Sequence, residues 1–355
     1  MTIISRYFVI VLLLATALSG CSSLSKVLPT QKARLPTILP ELIPLQIVLV
    51  GESHTSYADH QTQLAVIKAL HPHWPNMGIG VEFVQSPFQG ILDKYVAGKL
   101  TDEQMLKQTH WYKRWRYDFR LYRDIFHYAK AHHIPLLALN APIELTRKIS
   151  KNGIKGLNAN DRKQLPKKIT ATKAYRERLL KIFQQHAHGN SKGIDNFVDV
   201  QLAWDASMAE NANKAIHVGK VKNIVLLAGS GHVIRQAIPA RLNYSSSIIV
   251  NQKPEGHKTQ VDYVLQQNKH AKLPASGKIG VQMVMQHNTI KISKVLESHK
   301  AGLKKDDQIV AINGARIQAL EDIKIALWDK KVGDIIDVKI KRGKRTSLEK
   351  KIKLL

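Results

Sequence analysis

Two apolar runs, far apart in the chain, end in the same way: Ile47-Val-Leu-Val-Gly-Glu-Ser-His54 and Asn223-Ile-Val-Leu-Leu-Ala-Gly-Ser-Gly-His232. Each is short, rich in apolar residues and bounded by Gly, the pattern of a buried strand that delivers its polar side chains into the turn beyond its C-terminal end. Further strands are expected at Gly78–Phe83, Ile134–Asn140, Ser247–Val250 and, briefly, Val261–Leu265. Helical segments separate them. The order βαβα dictates an α/β fold with a mainly parallel sheet and helices on both faces. Such sheets bind ligands beyond the carboxyl ends of their strands. Glu52, His54, Glu82, Asn140 and His232 all fall at such ends, so one site is expected to draw on distant parts of the sequence.

The first residues have a different character. Arg6 followed by the apolar run Tyr7 to Leu18 has the charged and hydrophobic regions of a secretory leader, and the run is too short to span a membrane as a helix. Leu18-Ser19-Gly20-Cys21 then resembles a bacterial lipobox, which makes Cys21 the expected lipidation site and new N-terminus. Ser22 and Ser23 fit sorting to the outer membrane, facing the periplasm or the cell surface. Cys21 is the one cysteine of the chain, so the mature protein has no disulfide, thiolate metal site or c-type haem attachment. Residues 21–45, with Pro29, Pro36, Pro40 and Pro44, read as a tether. The chain is strongly basic, with formal net charge +27 over 355 residues. In an exported protein that charge points to anionic lipid headgroups, envelope glycolipids or an acidic ligand, and not to nucleic acid.

Between the strands, Trp111, Trp115, Phe119, Tyr122 and Phe126 recur at steps of three and four, which predicts one face of a helix turned to the core. Lys113, Arg116, Arg120 and Arg123 follow the same steps on another face. That ridge reads as solvated surface or as a holder of anionic groups. Asp205 lies on a mostly buried helix and therefore needs a partner.

The strand-end residues allow two chemistries. Glu52, His54, Glu82 and His232 form a mixed nitrogen and oxygen donor set suited to Mn, Fe, Co or Zn, which with a free Glu as base would serve a metal-dependent peptidase or esterase. Alternatively the carboxylates hydrogen-bond loop amides and the histidines are structural. The residue pattern leaves open whether the protein is an enzyme.

Gly-Glu-Ser-His54 with His60-Gln61, Gly80-Val-Glu-Phe83, Trp111 to Tyr122, Ala138-Leu-Asn-Ala-Pro142, Gln201-Leu-Ala-Trp-Asp205 and Gly229-Ser-Gly-His232 followed by Ile238-Pro-Ala-Arg241 together resemble the ChaN-like, haem-binding-uptake family of bacterial lipoproteins, within the Tiki and erythromycin esterase-like superfamily. The resemblance implies an α/β domain over 46–272 that binds haem and serves haem or iron uptake. Haem iron accepts His, Met, Cys or Tyr. With cysteine excluded, a phenolate from Tyr57, Tyr117 or Tyr175 is the expected axial ligand, and Arg116, Arg120 and Arg123 are the expected propionate holders. A homodimer is one assembly open to such a protein.

The last residues carry a second resemblance. Lys278-Ile-Gly-Val281, Ala301 to Gly314, a helix from Leu320 to Trp328 and Val332 to Arg342 are similar to a bacterial PDZ domain, which implies a small β-rich module over 273–355. Such domains add an extended peptide to a sheet edge and hold its terminal carboxylate in the loop before a strand. Lys278, Ile279 and Gly280 would form that loop, with the C-terminus of a partner protein as ligand. Asp306 stands where that pattern usually has Gly, and a left-handed backbone is expected there.

Overall fold

The computed structural model describes residues 30–167, 169–186, 193–251, 260–267, 270–296, 302–343 and 346–355. The leader (1–20), Cys21 and the first part of the tether lie outside the described residues.

The first region contains β1 (Gln31–Lys32), α1 (Leu35–Leu42), β2 (Ile47–Glu52), α2 (Tyr57–Leu70), β3 (Met77–Gln85), α3 (Gln89–Val96), α4 (Asp102–Gln108), α5 (Trp111–Arg114) and α6 (Arg123–Ala131). It continues with β4 (Leu136–Asn140), α7 (Ile143–Asn152), α8 (Ala159–Arg162), α9 (Lys173–His186), α10 (Ile194–His217), β5 (Asn223–Gly229), β6 (Ser246–Val250) and β7 (Tyr263–Val264). The strands form one seven-stranded sheet in the order β1-β7-β6-β2-β5-β3-β4, with every neighbouring pair parallel.

Alternation along the strands explains why their sequences are apolar throughout. Val48, Val50, Val225 and Leu227 point to one side, where α1 to α6 pack; Ile47, Leu49, Ile224 and Leu226 point to the other, against α10. A sheet covered on both faces buries the side chains of its inner strands on both sides. The central strand β2 lies between β5 and β6, and Glu52 is in register with Gly229. The two Gly-containing turns recognised in the sequence are therefore neighbours at one end of the sheet.

Two expectations are corrected. The tether does not extend to residue 45: Gln31 and Lys32 pair with β7 at the sheet edge, and α1 buries Leu35, Ile38 and Leu42 in the core. Pro36 sits in the first turn, where its missing N–H costs nothing, and the apolar spacing 35/38/42 determines the outcome despite the prolines. The aromatic segment is not one helix. Arg116 is left-handed (φ 75°), so α5 stops before it, and Asp118 caps a short 3-10 turn over Phe119–Leu121 that leads into α6. Trp111, Phe119, Tyr122 and Phe126 still meet in one core cluster with Phe83.

The C-terminal module comprises β8 (Val281–Gln286), β9 (Thr289–Val295), β10 (Gln308–Ile312), β11 (Ala315–Arg316), α11 (Leu320–Ala326), β12 (Ile335–Arg342) and β13 (Thr346–Lys353). Its antiparallel sheet has the order β13-β12-β10-β9-β8, with β11 on β10, around an isoleucine-rich core of its own. Asn313 and Gly314, both with positive φ, make the tight turn between β10 and β11. Asp306 adopts φ 67°, the left-handed backbone expected of it.

Candidate functional site

The turn after β2 is built by its own side chains. Ser56 caps α2 by accepting from the Asp59 N–H, Asp59 in turn accepts from the Ser53 N–H at 2.9 Å, and Asn251 donates to the other Asp59 oxygen. Gln63, from α2, donates to the Val50 carbonyl and ties the helix to the strand. This bracing fixes Glu52, which is 2% exposed, and His54, whose Nδ1 lies 2.5 Å from Glu52 Oε1.

The second turn is fixed from β3 and α10. The Gly229 N–H donates to Glu82 Oε2 at 2.6 Å, His232 Nδ1 lies 2.6 Å from Asp205 Oδ1, and His232 Nε2 is 3.5 Å from Glu82 Oε1. The fully buried Asp205 takes its other bond from the Tyr175 hydroxyl at 2.6 Å. The acid on the buried helix thus has two partners. Gly229 is required by proximity: a Cβ there would lie 2.9 Å from His54 Cε1. Gly229→Ala should push His54 off Glu52 at a cost of about 1–3 kcal/mol, read as a lower melting temperature.

Both imidazoles are held toward their charged forms. Burial pulls the His232 pKa down, but the charges of Glu82 and Asp205 and the Asp205 hydrogen bond outweigh it and raise it to about 9. His54 is likewise lowered by burial and raised more by Glu52 and Glu82. A group whose folded pKa is raised stabilises fully below its unfolded value, near 6.5, and loses that contribution as pH rises through the folded value. Stability should therefore fall between neutrality and about pH 9, and a His232 ring-proton NMR titration should show the same midpoint.

His54, Glu82 and His232 line a cleft of about 370 Å³ together with Phe83, Trp115, Tyr117, Trp204 and Arg114. His54 stands 4.7 Å from the Trp115 ring and 4.9 Å from the Tyr117 ring. Arg114 reaches Gln85 at 2.7 Å and Glu144 at 2.6 Å. Asn140 and Gln201 complete the rim.

The sequence-selected residues separate accordingly. Glu52, His54, Glu82 and His232 come together as expected, but as two His–carboxylate pairs. Among the described residues no group of three or more His, Cys, Asp or Glu side chains is arranged to hold a metal ion. Glu52 Oε1 orients His54 and Glu82 Oε2 takes the Gly229 amide, while Glu52 Oε2 is buried without a hydrogen-bond partner among the described residues. Of the three tyrosines, Tyr57 donates to Asp124 and Tyr175 is buried on Asp205, whereas Tyr117 lines the cleft with no hydrogen-bond partner for its hydroxyl among the described residues. The arginine ridge does not exist as a face. Arg120 is locked to Asp118, Arg123 to Asp124, and Arg116 lies with Arg120 on the opposite side of their loop, against the C-terminal module. The cation that does reach the cleft, Arg114, falls outside the three-and-four spacing of that ridge, and only its position next to Trp115 hinted at it.

Comparison with known proteins agrees with this geometry. Residues 38–242 match the family described as haem-binding uptake, Tiki superfamily, ChaN, and residues 277–354 match the PDZ domain. A solved structure describing cofacial haem binding to ChaN of Campylobacter jejuni is similar over 66% of this chain and 92% of that one, at 20% identity and a TM-score of 0.54. The HtrA3 PDZ domain bound to a phage-derived ligand is similar over 22% of this chain and 86% of that one, at 18% identity and a TM-score of 0.20. No curated protein sequence matches. With more than half of its length matched, from α1 to the turn after His232, the chain belongs to the haem-binding uptake family of ChaN proteins in the Tiki superfamily.

Proposed function

We propose that the protein captures haem in the Trp115–Trp204 cleft, with Tyr117 as the iron ligand, as part of haem or iron uptake at the outer membrane. The observation that carries this reading is the Tyr117 phenol: it lies in the cleft beside His54 and Trp115, with its hydroxyl unengaged by any described residue, in a chain of a haem-binding family. The donor set fits the group. A phenolate oxygen is an established axial ligand to haem iron, and aromatic walls suit a flat macrocycle.

Haem, when bound, supplies the iron centre; the residues around it supply position and charge. His54 and His232, raised toward the imidazolium by the carboxylates beside them, line the cleft with Arg114 as hydrogen-bond donors for the propionates. Because the Campylobacter jejuni protein is described as binding haem cofacially, a second haem and a second copy of this chain facing the first is the assembly we favour. Lipidation at Cys21 would hold the protein at the membrane, and the C-terminal module would engage the C-terminus of an envelope protein. The test is a hemin titration of the purified full chain. Saturable growth of a shifted Soret band is expected; a band that rises linearly with hemin would refute the proposal.

A further inference from the structure

Among the described residues no strand covers the sheet edge formed by β8. Between β8 and α11 runs a groove of about 450 Å³ whose floor is Ile279, Val281, Met283, Ile323, Leu327 and Trp328. At its closed end Gly280 is left-handed (φ 76°), and among the described residues neither the Ile279 nor the Gly280 N–H bonds to a backbone carbonyl. Two free amides beside a left-handed glycine make a seat for a carboxylate.

The second wall of this groove belongs to the other domain. Tyr112 from α5, with Arg116, Asp118 and Arg120 from the segment between α5 and α6, lines it. Their position is fixed by several contacts. Phe119 packs on Trp328 with ring centroids 5.4 Å apart, Lys324 lies over the Tyr112 ring, and Arg120 donates to the Pro274 carbonyl at 2.8 Å. Asp118 is neutralised by Arg120. Arg116, Lys278 and Lys324 are exposed cations at the groove with no ion pair among the described residues. An apolar floor, a carboxylate seat and three uncompensated positive charges define the occupant.

We infer that the groove is a two-domain site for an extended, acidic C-terminal segment of a partner protein, with Arg116 of the α/β domain as a specificity-determining residue. This rests on the peptide-binding reading of the module and goes beyond it by assigning selectivity to the haem-binding domain. Arg116 holds φ 75°, a backbone that ordinary residues adopt at a cost and glycine adopts freely. Arg116→Gly therefore removes the guanidinium without straining the loop.

The test is fluorescence anisotropy of the full chain at low salt, using labelled short peptides that end in a free valine carboxylate and carry either glutamates or serines upstream. The glutamate peptide should bind about tenfold more tightly, and the advantage should shrink in high salt. Arg116→Gly should narrow the gap, and Arg116→Glu should close or invert it. Equal binding of the two peptides by the parent chain, or a gap that survives Arg116→Glu, would overturn the inference while leaving peptide binding intact. Binding of neither peptide would overturn the peptide-binding reading and this inference with it.

Discussion

Tyr117→Phe should weaken haem binding by on the order of a hundredfold, about 2.8 kcal/mol, with loss of the visible bands of a ferric phenolate. The side chain keeps its ring contacts with His54 and Trp115 and loses only the hydroxyl, so the cleft stays formed while the iron loses its oxygen ligand. Tyr57→Phe and Tyr175→Phe provide the comparison. The first should cost a half-exposed hydrogen bond to Asp124 and the second a buried one to Asp205, and neither should abolish the phenolate spectrum. A hemin titration of the three variants, followed at the Soret and visible bands, checks the assignment.

Asp205→Ala should destabilise the α/β domain by about 3–5 kcal/mol. Asp205 is fully buried and accepts from both His232 and Tyr175. Its removal leaves a buried hydroxyl and an imidazole whose remaining carboxylate neighbour among the described residues is Glu82. The His232 pKa, now near 9, should fall with the loss of the Asp205 charge and hydrogen bond. Chemical denaturation, with the His232 ring-proton titration alongside, measures both effects. Asp205→Asn should cost less, because the amide oxygen can still accept from one partner.

Much of this was legible in the residues, and the exceptions have physical causes. The strand runs around Leu49 and Leu226 announced a sheet buried on both faces, and their Gly-containing turns announced a shared end. The need of Asp205 for a partner followed from its burial alone. Periodicity failed where backbone conformation changes without a compositional sign: nothing about Arg116 marks it as left-handed, yet that one residue ends α5 and turns the expected arginine face away from the cleft. Proline counting failed at α1, where Leu35, Ile38 and Leu42 were enough to make a helix. The choice among three tyrosines could not be made from spacing, because what separates them is the carboxylate each one meets: Asp124 for Tyr57, Asp205 for Tyr175 and, among the described residues, none for Tyr117.

Anomalous diffraction at the iron edge from crystals of the hemin-loaded protein tests the location of the haem most directly. An iron peak within bonding distance of the Tyr117 hydroxyl, between Trp115 and Trp204, is the predicted result. An iron peak held by any other side chain, or lying outside this cleft, would contradict it.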